Sequence, residues 1–446
     1  MANVRAMLEG VDPIVKPKGM GEVERRLNMR YPDMYRVHQV FDAPRVGNLE
    51  ETLNREMASI RAGDLIKPGA RIALTAGSRG VAHMDHILRY LVQVVRQRGG
   101  HPFLIPTMGS HGGGTAEGQV EVLKSLGVTE ESIGAPIVSS MDVVEIGKSR
   151  FGFPVMVAKA AADADGIIVV NRIKPHTDFE GPIESGLMKM MAIGMGKHRG
   201  CLEVHRQTVQ YGYREVIPEI GGVILSKLPI LFGLGIVENL YDETAVIRAV
   251  LPSRFLDEEK ELLTLAKKLM ARLPFERIDV LIVDQMGKNI SGTGIDTNVI
   301  GRIMFIGERE PEKPKITRIV VLDLTDASHG NAIGIGLADY TTRRLVNKVD
   351  LAATATNAIT AMTPEKGRIP IALPTDQAAV EAALDTIGAI PPQEARIVHI
   401  KNTLELGELE VSKAFLPEMK GRADLELGKQ LGPLGFDETG SITPVV

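Results

Sequence analysis

Along this chain the apolar positions switch between short solid runs and runs at helical spacing. Residues 71–75 predict a strand, and 83–98 predict an amphipathic helix with Ile87, Leu88, Leu91, Val94 and Val95 on one face. A second strand at 102–106 and a second helix at 116–126 follow. Upstream, residues 49–62 place Leu53, Met57 and Ile60 on one helical face and stop at Gly63, while 1–48 show no sustained period and read as an irregular arm. Short β-like pieces at 142–146 and 154–158 precede a wholly apolar strand at 166–170. The glycine-rich, apolar interval 216–250 predicts a hairpin or meander. A helix at 257–272 has acidic residues at its start and basic ones near its end, as the helix dipole favours.

Pro274 marks the expected domain boundary. Beyond it a second series runs through strands at 278–284 and 316–322, helical stretches near 338–346 and 351–361, a strand at 369–373, a helix at 376–387 and a strand at 396–401. Strands alternating with helices predict an α/β protein with mainly parallel sheets and right-handed crossovers. The expectation is two α/β domains, 1–273 and 274–415, with the site in the cleft between them and a tail, 416–446, lying back on the first.

Composition narrows the function. A 446-residue chain exceeds one ordinary core, which agrees with two domains. A net charge of −4, 4% aromatic residues and no Trp argue against nucleic acid as the main partner. No apolar run reaches the roughly 18 to 20 residues of a membrane span, and the first residues lack the pattern of a signal peptide, so a cytoplasmic location is expected. One cysteine, Cys201, excludes an internal disulfide and a cysteine-ligated iron–sulfur cluster. No fixed-period repeat is evident, and oligomer formation is left open.

The candidate chemistry sits where predicted strands end, as it does in open α/β sheets. Three such ends carry Arg79, His111 and His176, which converge on one rim if the strands are parallel neighbours. The Gly109–Thr115 loop, GSHGGGT, can cradle a phosphate with backbone N–H groups or can be a tight turn needing positive φ. His111 within it suits acid/base work. His176 follows Lys174-Pro175, a stiff approach, and can equally be a surface loop histidine. Lys189 lies in an apolar run, where an ammonium is paired, depressed in pKa or covalently used, unless it snorkels from a helix edge. Cys201 and His205 are four apart and on a helix share a face, within reach of one metal, although buried cysteine is also a common small hydrophobe. Further on, Gln285 and Lys288 follow another strand and can bind a carboxylate across a cleft, and Asp326 and His329 occupy a similar loop; strand-end capping is the plainer reading of both.

Gly-Ser-Arg79, Gly-Ser-His111-Gly-Gly, Pro-His176, Lys189 and His205, in this order, resemble the lactate racemase family of nickel-pincer nucleotide enzymes. The spacing of Lys189 and His205 agrees with the family, whereas the approach Ser185-Gly186-Leu-Met-Lys189 is longer than its glycine-rich counterpart. The resemblance implies a racemase or epimerase of a 2-hydroxy acid. Arg79 would bind the substrate carboxylate, assisted by Gln285 and Lys288, with His111 and His176 as the acid/base pair. Lys189 would tether the cofactor beside Ser185 and Gly186, and His205 would ligate nickel. The partners implied are a small 2-hydroxy acid and the enzymes that make the cofactor. Two alternatives stand beside this: a metal-independent sugar-acid dehydratase or epimerase on the same fold, and a non-catalytic phosphate- or nucleotide-binding protein.

Overall fold

A computed structural model of the chain describes residues 31–445. Residues 1–30 of the expected N-terminal arm, and the segment read for a signal peptide, lie outside the described residues. Setting aside one-turn helices, the chain runs β1 (Asp33–Gln39), α1 (Leu49–Ser59), β2 (Arg71–Ala76), α2 (Met84–Gln97), β3 (His101–Pro106), α3 (Ala116–Ser125), β4 (Val143–Lys148), β5 (Pro154–Ala158) and β6 (Gly166–Arg172). It continues through α4 (Lys197–Tyr211), α5 (Tyr213–Lys227), β7 (Ile230–Glu238), β8 (Thr244–Val250) and α6 (Phe255–Leu269). The remainder is β9 (Arg277–Met286), β10 (Lys315–Leu324), β11 (Tyr340–Thr342), α7 (Leu351–Thr360), β12 (Ile371–Leu373), α8 (Asp376–Leu384), β13 (Ile397–Ile400), β14 (Glu408–Ser412) and β15 (Leu425–Pro433).

Two sheets organise these elements. The smaller has the order β3-β2-β6-β7-β8, parallel except for β8, and β4 and β5 form a separate antiparallel pair. The larger has the order β12-β11-β10-β9-β13-β14-β1-β15, parallel from β12 to β13 and antiparallel beyond. The central parallel strands of both are buried on two faces, which explains the solid apolar runs in the sequence. In β6, Ile167 and Val169 enter one core while Ile168 and Val170 enter the other. In β9, Leu281 and Val283 face one core and Val280 and Ile282 the opposite one. The chain is an α/β protein, as its alternation predicts. No helix among the described residues is long and apolar enough to cross a membrane.

Four expectations change. The arm contains β1, which sits between β14 and β15 with Tyr35 opposite Val411, in the larger sheet rather than on the smaller one. The tail supplies β15 beside β1 and does not lie back on the smaller sheet. Partners this distant in sequence leave no local signal. Residues 213–227 form α5, and only the second half of the expected meander is a hairpin, β7 and β8. Gly221 in α5 packs on Met188, whose Cε lies 2.5 Å from where a Cβ would stand, so the glycine that suggested a turn makes room between helices. The stretch near 338–346 opens as β11 before turning helical.

The larger sheet also buries a charged seam. His399 in β13 is fully buried between Asp284 of β9 (Nε2···Oδ1, 2.7 Å) and Glu410 of β14 (Nδ1···Oε2, 3.3 Å), and Glu410 pairs with Arg36 (3.1 Å). The other Asp284 oxygen accepts the Val445 N–H at 2.8 Å, tying down the chain end. Burial opposes charge on His399, but its two carboxylate hydrogen bonds win and push it up to about 9. A histidine raised from an unfolded value near 6.5 contributes stability fully below that pH and loses it as pH rises through about 9. Urea midpoints should therefore fall between pH 6.5 and 9.5, by at most about 3 kcal/mol from this residue, and His399→Gln should remove most of that slope.

Candidate active site

The smaller sheet ends its parallel strands toward one point, and three loops leave there. After β2 comes Gly77-Ser78-Arg79. The Arg79 guanidinium has no hydrogen bond or ion pair among the described residues, and its Nη2 lies 3.1 Å from where a Cβ on Gly292 would stand, so the opposite loop approaches it closely. After β3 comes the loop with His111. Its glycines 112, 113 and 114 all have positive φ, and a Cβ on Gly112 would strike the Gly118 backbone at 2.5 Å. Thr115 caps α3 itself, accepting the Gly118 N–H at 3.1 Å, which makes the tight-turn reading of this loop the better one. Beneath the loop, buried Lys197 donates to the Pro106 carbonyl (2.6 Å) and to the Gln119 amide oxygen (2.9 Å), and the Gln119 N–H₂ donates to the Gly109 carbonyl (2.9 Å).

The third loop, after β6, carries Lys174, Pro175 and His176. Its backbone is pinned from both sides. Glu184 accepts the N–H groups of His176 (2.7 Å) and Gly181 (3.0 Å) and pairs with Lys267 (2.6 Å). From the larger sheet's side, Asn298 donates to the His176 carbonyl (3.1 Å), Thr297 to the Thr177 carbonyl (2.8 Å), and buried Lys366 to Asp178 (2.5 Å). Burial alone would raise the Asp178 pKa, but Lys366 and His176 hold it down to about 2.

The same loop sets a tautomer. His176 Nδ1 accepts the Asp178 backbone N–H at 3.0 Å, so in the neutral ring the proton is on Nε2. Nε2 is in direct contact with Lys189 Nζ. An Nε2–H can donate only to a neutral amine, so the contact is a hydrogen bond in the deprotonated state of Lys189. Burial and the Arg79 charge outweigh Asp178 and lower Lys189 to about 8, which brings that state within reach while leaving the amine largely protonated at pH 7, and burial with the Lys189, Lys366 and Lys174 charges lowers His176 well below an ordinary histidine.

Lys189 ends a single α-turn, Leu187–Lys189, that passes into a π-helix, Met190–Gly194. Glu259 of α6 caps this turn, accepting the Met188 N–H at 2.9 Å, and a Cβ on Gly186 would meet its carboxyl at 2.4 Å. Burial pushes that carboxyl up to about 8. Asn171 donates to the Gly186 carbonyl at 2.8 Å, and Ser185 exchanges backbone hydrogen bonds with Lys174.

Arg79, His111, His176, Ser185 and Lys189 line one cavity of about 190 Å³. It shares Arg79, Arg172 and Lys174 with an outer cavity of about 560 Å³, whose far wall includes Lys288, Asp296 and Asn298. The side chain of His111 opens to solvent. Its packed setting and the charges of Arg79, Lys288, Lys189 and His205 hold it below the ordinary histidine value, and the exposure discounts the packing contribution. Lys288 donates to the Gly292 carbonyl (2.5 Å) and the Asn357 amide oxygen (3.0 Å), and burial with the Arg79 charge lowers it to about 8.

Two expected residues stand apart from these cavities. Gln285 lies in β9 with its backbone N–H on the Lys401 carbonyl, and lines neither. His205 in α4 also lines neither, but it is within electrostatic reach of Lys189 and His111. Its Nδ1 meets the Tyr213 hydroxyl at 3.0 Å, and Tyr213 stacks on Phe179 with ring centroids 4.4 Å apart. Cys201 turns instead to the His111 loop, with Sγ 3.9 Å from Ser110 Oγ, so the two residues do not form one metal site. His329 likewise lines neither cavity, while Ser328 beside it accepts the Lys288 N–H at 2.9 Å.

Among the described residues no group of three or more His, Cys, Asp or Glu can hold a bare metal ion. The donors that a tethered group could use are Nε2 of His205, not engaged by Tyr213, and the Lys189 amine. That set fits a group attached through an amine that brings most of its metal's ligands with it.

Residues 33–215 match the family model for the lactate racemase N-terminal domain. That segment is similar to the N-terminal domain of lactate racemases. No curated protein matches the chain. Among solved structures, the chain is similar to the lactate racemase apoprotein from Thermoanaerobacterium thermosaccharolyticum, at 13% identity and a TM-score of 0.51, over 83% of this chain and 94% of that one. At that identity the likeness concerns the fold. The matched segment spans Arg79, His111, His176, Lys189 and His205 and ends before Gln285 and Lys288.

Lys174, Lys197, Lys366 and the Thr297-Asn298 pair had no part in the sequence reading of the site. Lys174 carried a usable signal, a cation at the end of a strand like Arg79. Lys366 carried none, since its partner Asp178 lies on the other side of the molecule's two sheets.

Proposed function

We propose that the chain is a racemase or epimerase that inverts Cα of a 2-hydroxy acid, with a nickel-pincer nucleotide attached at Lys189. The observation that carries this reading is the contact between His176 and Lys189, an amine lowered to about 8, in a cavity that also holds Arg79 and His111. Arg79 and Lys288 would hold the substrate carboxylate and keep the reacting centre in place. His111 and His176 would be the acid/base pair for the hydroxyl: His111 takes its proton, and His176, with Nδ1 held by the Asp178 N–H, faces the cavity with its Nε2–H. Both are held below ordinary histidine values, so both are neutral at pH 7. When bound, the nickel-pincer nucleotide would supply a hydride acceptor and donor for the hydrogen on Cα, and His205 would be its protein ligand. The 2-keto acid formed between the two transfers stays on Arg79, and the histidine that took the proton returns one to the new alcohol. Ser185 and Gly186 shape the turn before the tether. The partners follow from this reading: a small-molecule substrate and the enzymes that make the cofactor.

Protein co-expressed with the cofactor-making enzymes should carry an adduct on Lys189 by peptide mass spectrometry, with nickel bound in equal amount. Unmodified Lys189 and no nickel under those conditions contradict the proposal. One observation favours a second reading, metal-independent proton transfer: an amine lowered to about 8 beside His176 is a competent base for a Cα proton once deprotonated. The two differ in the fate of the Cα hydrogen.

A further inference from the structure

We infer that the junction of the two cavities is a second anion subsite centred on Lys174, and that the substrate is a 2-hydroxy acid with a second carboxylate. The inference rests on the racemase reading for the inner cavity and adds the substrate class. Lys174 lines both cavities, its backbone locked to Ser185 by two hydrogen bonds of 2.9 and 3.2 Å. Its ammonium has no hydrogen bond or ion pair among the described residues. The other cations there are occupied or assigned. Arg172 is paired with Glu238, and lies 3.5 Å from Asp242. Lys366 is paired with Asp178 and Lys288 is held by two oxygens, while Arg79 faces the reacting carboxylate.

A half-buried cation without a partner costs solvation free energy that a ligand anion can return. The nearest acid in electrostatic terms, Asp296, is engaged by Asn298 through hydrogen bonds of 2.9 and 3.0 Å. Burial and the Arg172 charge lower Lys174 to about 8. A substrate reacting between His111 and His176 with its first carboxylate on Arg79 can extend a second toward Lys174 without leaving the shared wall. The outer cavity is also lined by Glu238, Asp242 and Asp296, which suits one carboxylate better than a doubly charged phosphate.

The test compares malate with lactate, using the full-length chain in two arms. By calorimetry on cofactor-free protein, malate should bind at least tenfold more tightly than lactate, and Lys174→Gln should abolish that ratio while Lys174→Arg keeps it. In cofactor-loaded enzyme the ratio of kcat/KM for malate over lactate should fall at least tenfold in Lys174→Gln. Equal binding of the two acids, or a ratio that Lys174→Gln leaves unmoved, overturns the inference. So does loss of the Lys189 adduct in Lys174→Gln with an unmoved ratio, which would give the subsite to the cofactor's phosphate. If neither acid turns over but malate still binds preferentially through Lys174, the racemase reading fails and the subsite stands.

Discussion

Lys189→Ala should leave a folded protein of unmodified mass whose turnover of any 2-hydroxy acid falls by about 10³-fold or more. The side chain contacts His176 Nε2 through its amine, and its turn is held from behind by Glu259 and Asn171, so truncation removes a reactive group and little packing. Lys189→Arg separates reactivity from charge. Guanidinium has similar length and stays protonated, so it cannot accept a hydrogen bond from His176 Nε2–H and cannot form an adduct. The account expects Lys189→Arg to be as inactive as Lys189→Ala. Activity in the arginine variant would mean that Lys189 acts only through its charge. Adduct formation in the wild type should also depend on pH, rising through about pH 8 as the lysine gives up its proton.

Lys366→Met should cost about 3–5 kcal/mol of stability, because it leaves the Asp178 carboxylate buried without its counter-ion. Asp178 has a folded pKa of about 2, below its unfolded value near 3.9, so the pair contributes above pH 4 and is lost as pH falls through about 2. The cost of Lys366→Met should accordingly be full at pH 7 and shrink toward pH 2, where Asp178 accepts a proton. Urea unfolding at several pH values measures this. The double variant with Asp178→Asn should recover a large part of the loss at pH 7, since a neutral amide needs no counter-ion. Activity should drop in Lys366→Met beyond what unfolding explains, because the same ammonium also bonds the Thr177 carbonyl next to His176. An unchanged kcat in folded Lys366→Met would show that the His176 loop needs no support from the larger sheet.

How much of this was legible in the sequence depends on distance along the chain. β2, β3 and β6 announced themselves because each is a solid apolar run bounded by turn residues, and their shared parallel sheet followed from the alternation. That put Arg79, His111 and His176 on one rim before any coordinates. β1 and β15 did not announce their sheet, because an antiparallel partner at the other end of the chain leaves no trace in local pattern. Gly221 misled for a related reason. Its role is to let Met188 approach α5, and packing of that kind looks like a turn signal when read locally. The clamp on the His176 loop was invisible for the same cause. Thr297, Asn298 and Lys366 are ordinary surface-type residues until the second sheet brings them to 176–178. Gln285 shows the opposite failure: its place at a strand end resembled that of Lys288, but only Lys288 reaches a cavity.

The central claim is that Cα is inverted by moving its hydrogen with both electrons between groups held over the Arg79, His111 and His176 cavity. The most direct measurement follows a 2-hydroxy acid deuterated at Cα, converted in ordinary water by cofactor-loaded protein. The account predicts that the inverted product keeps its deuterium through several turnovers, with a primary isotope effect on the rate. Replacement of that deuterium by solvent hydrogen at the rate of inversion would contradict it and assign the chemistry to proton abstraction.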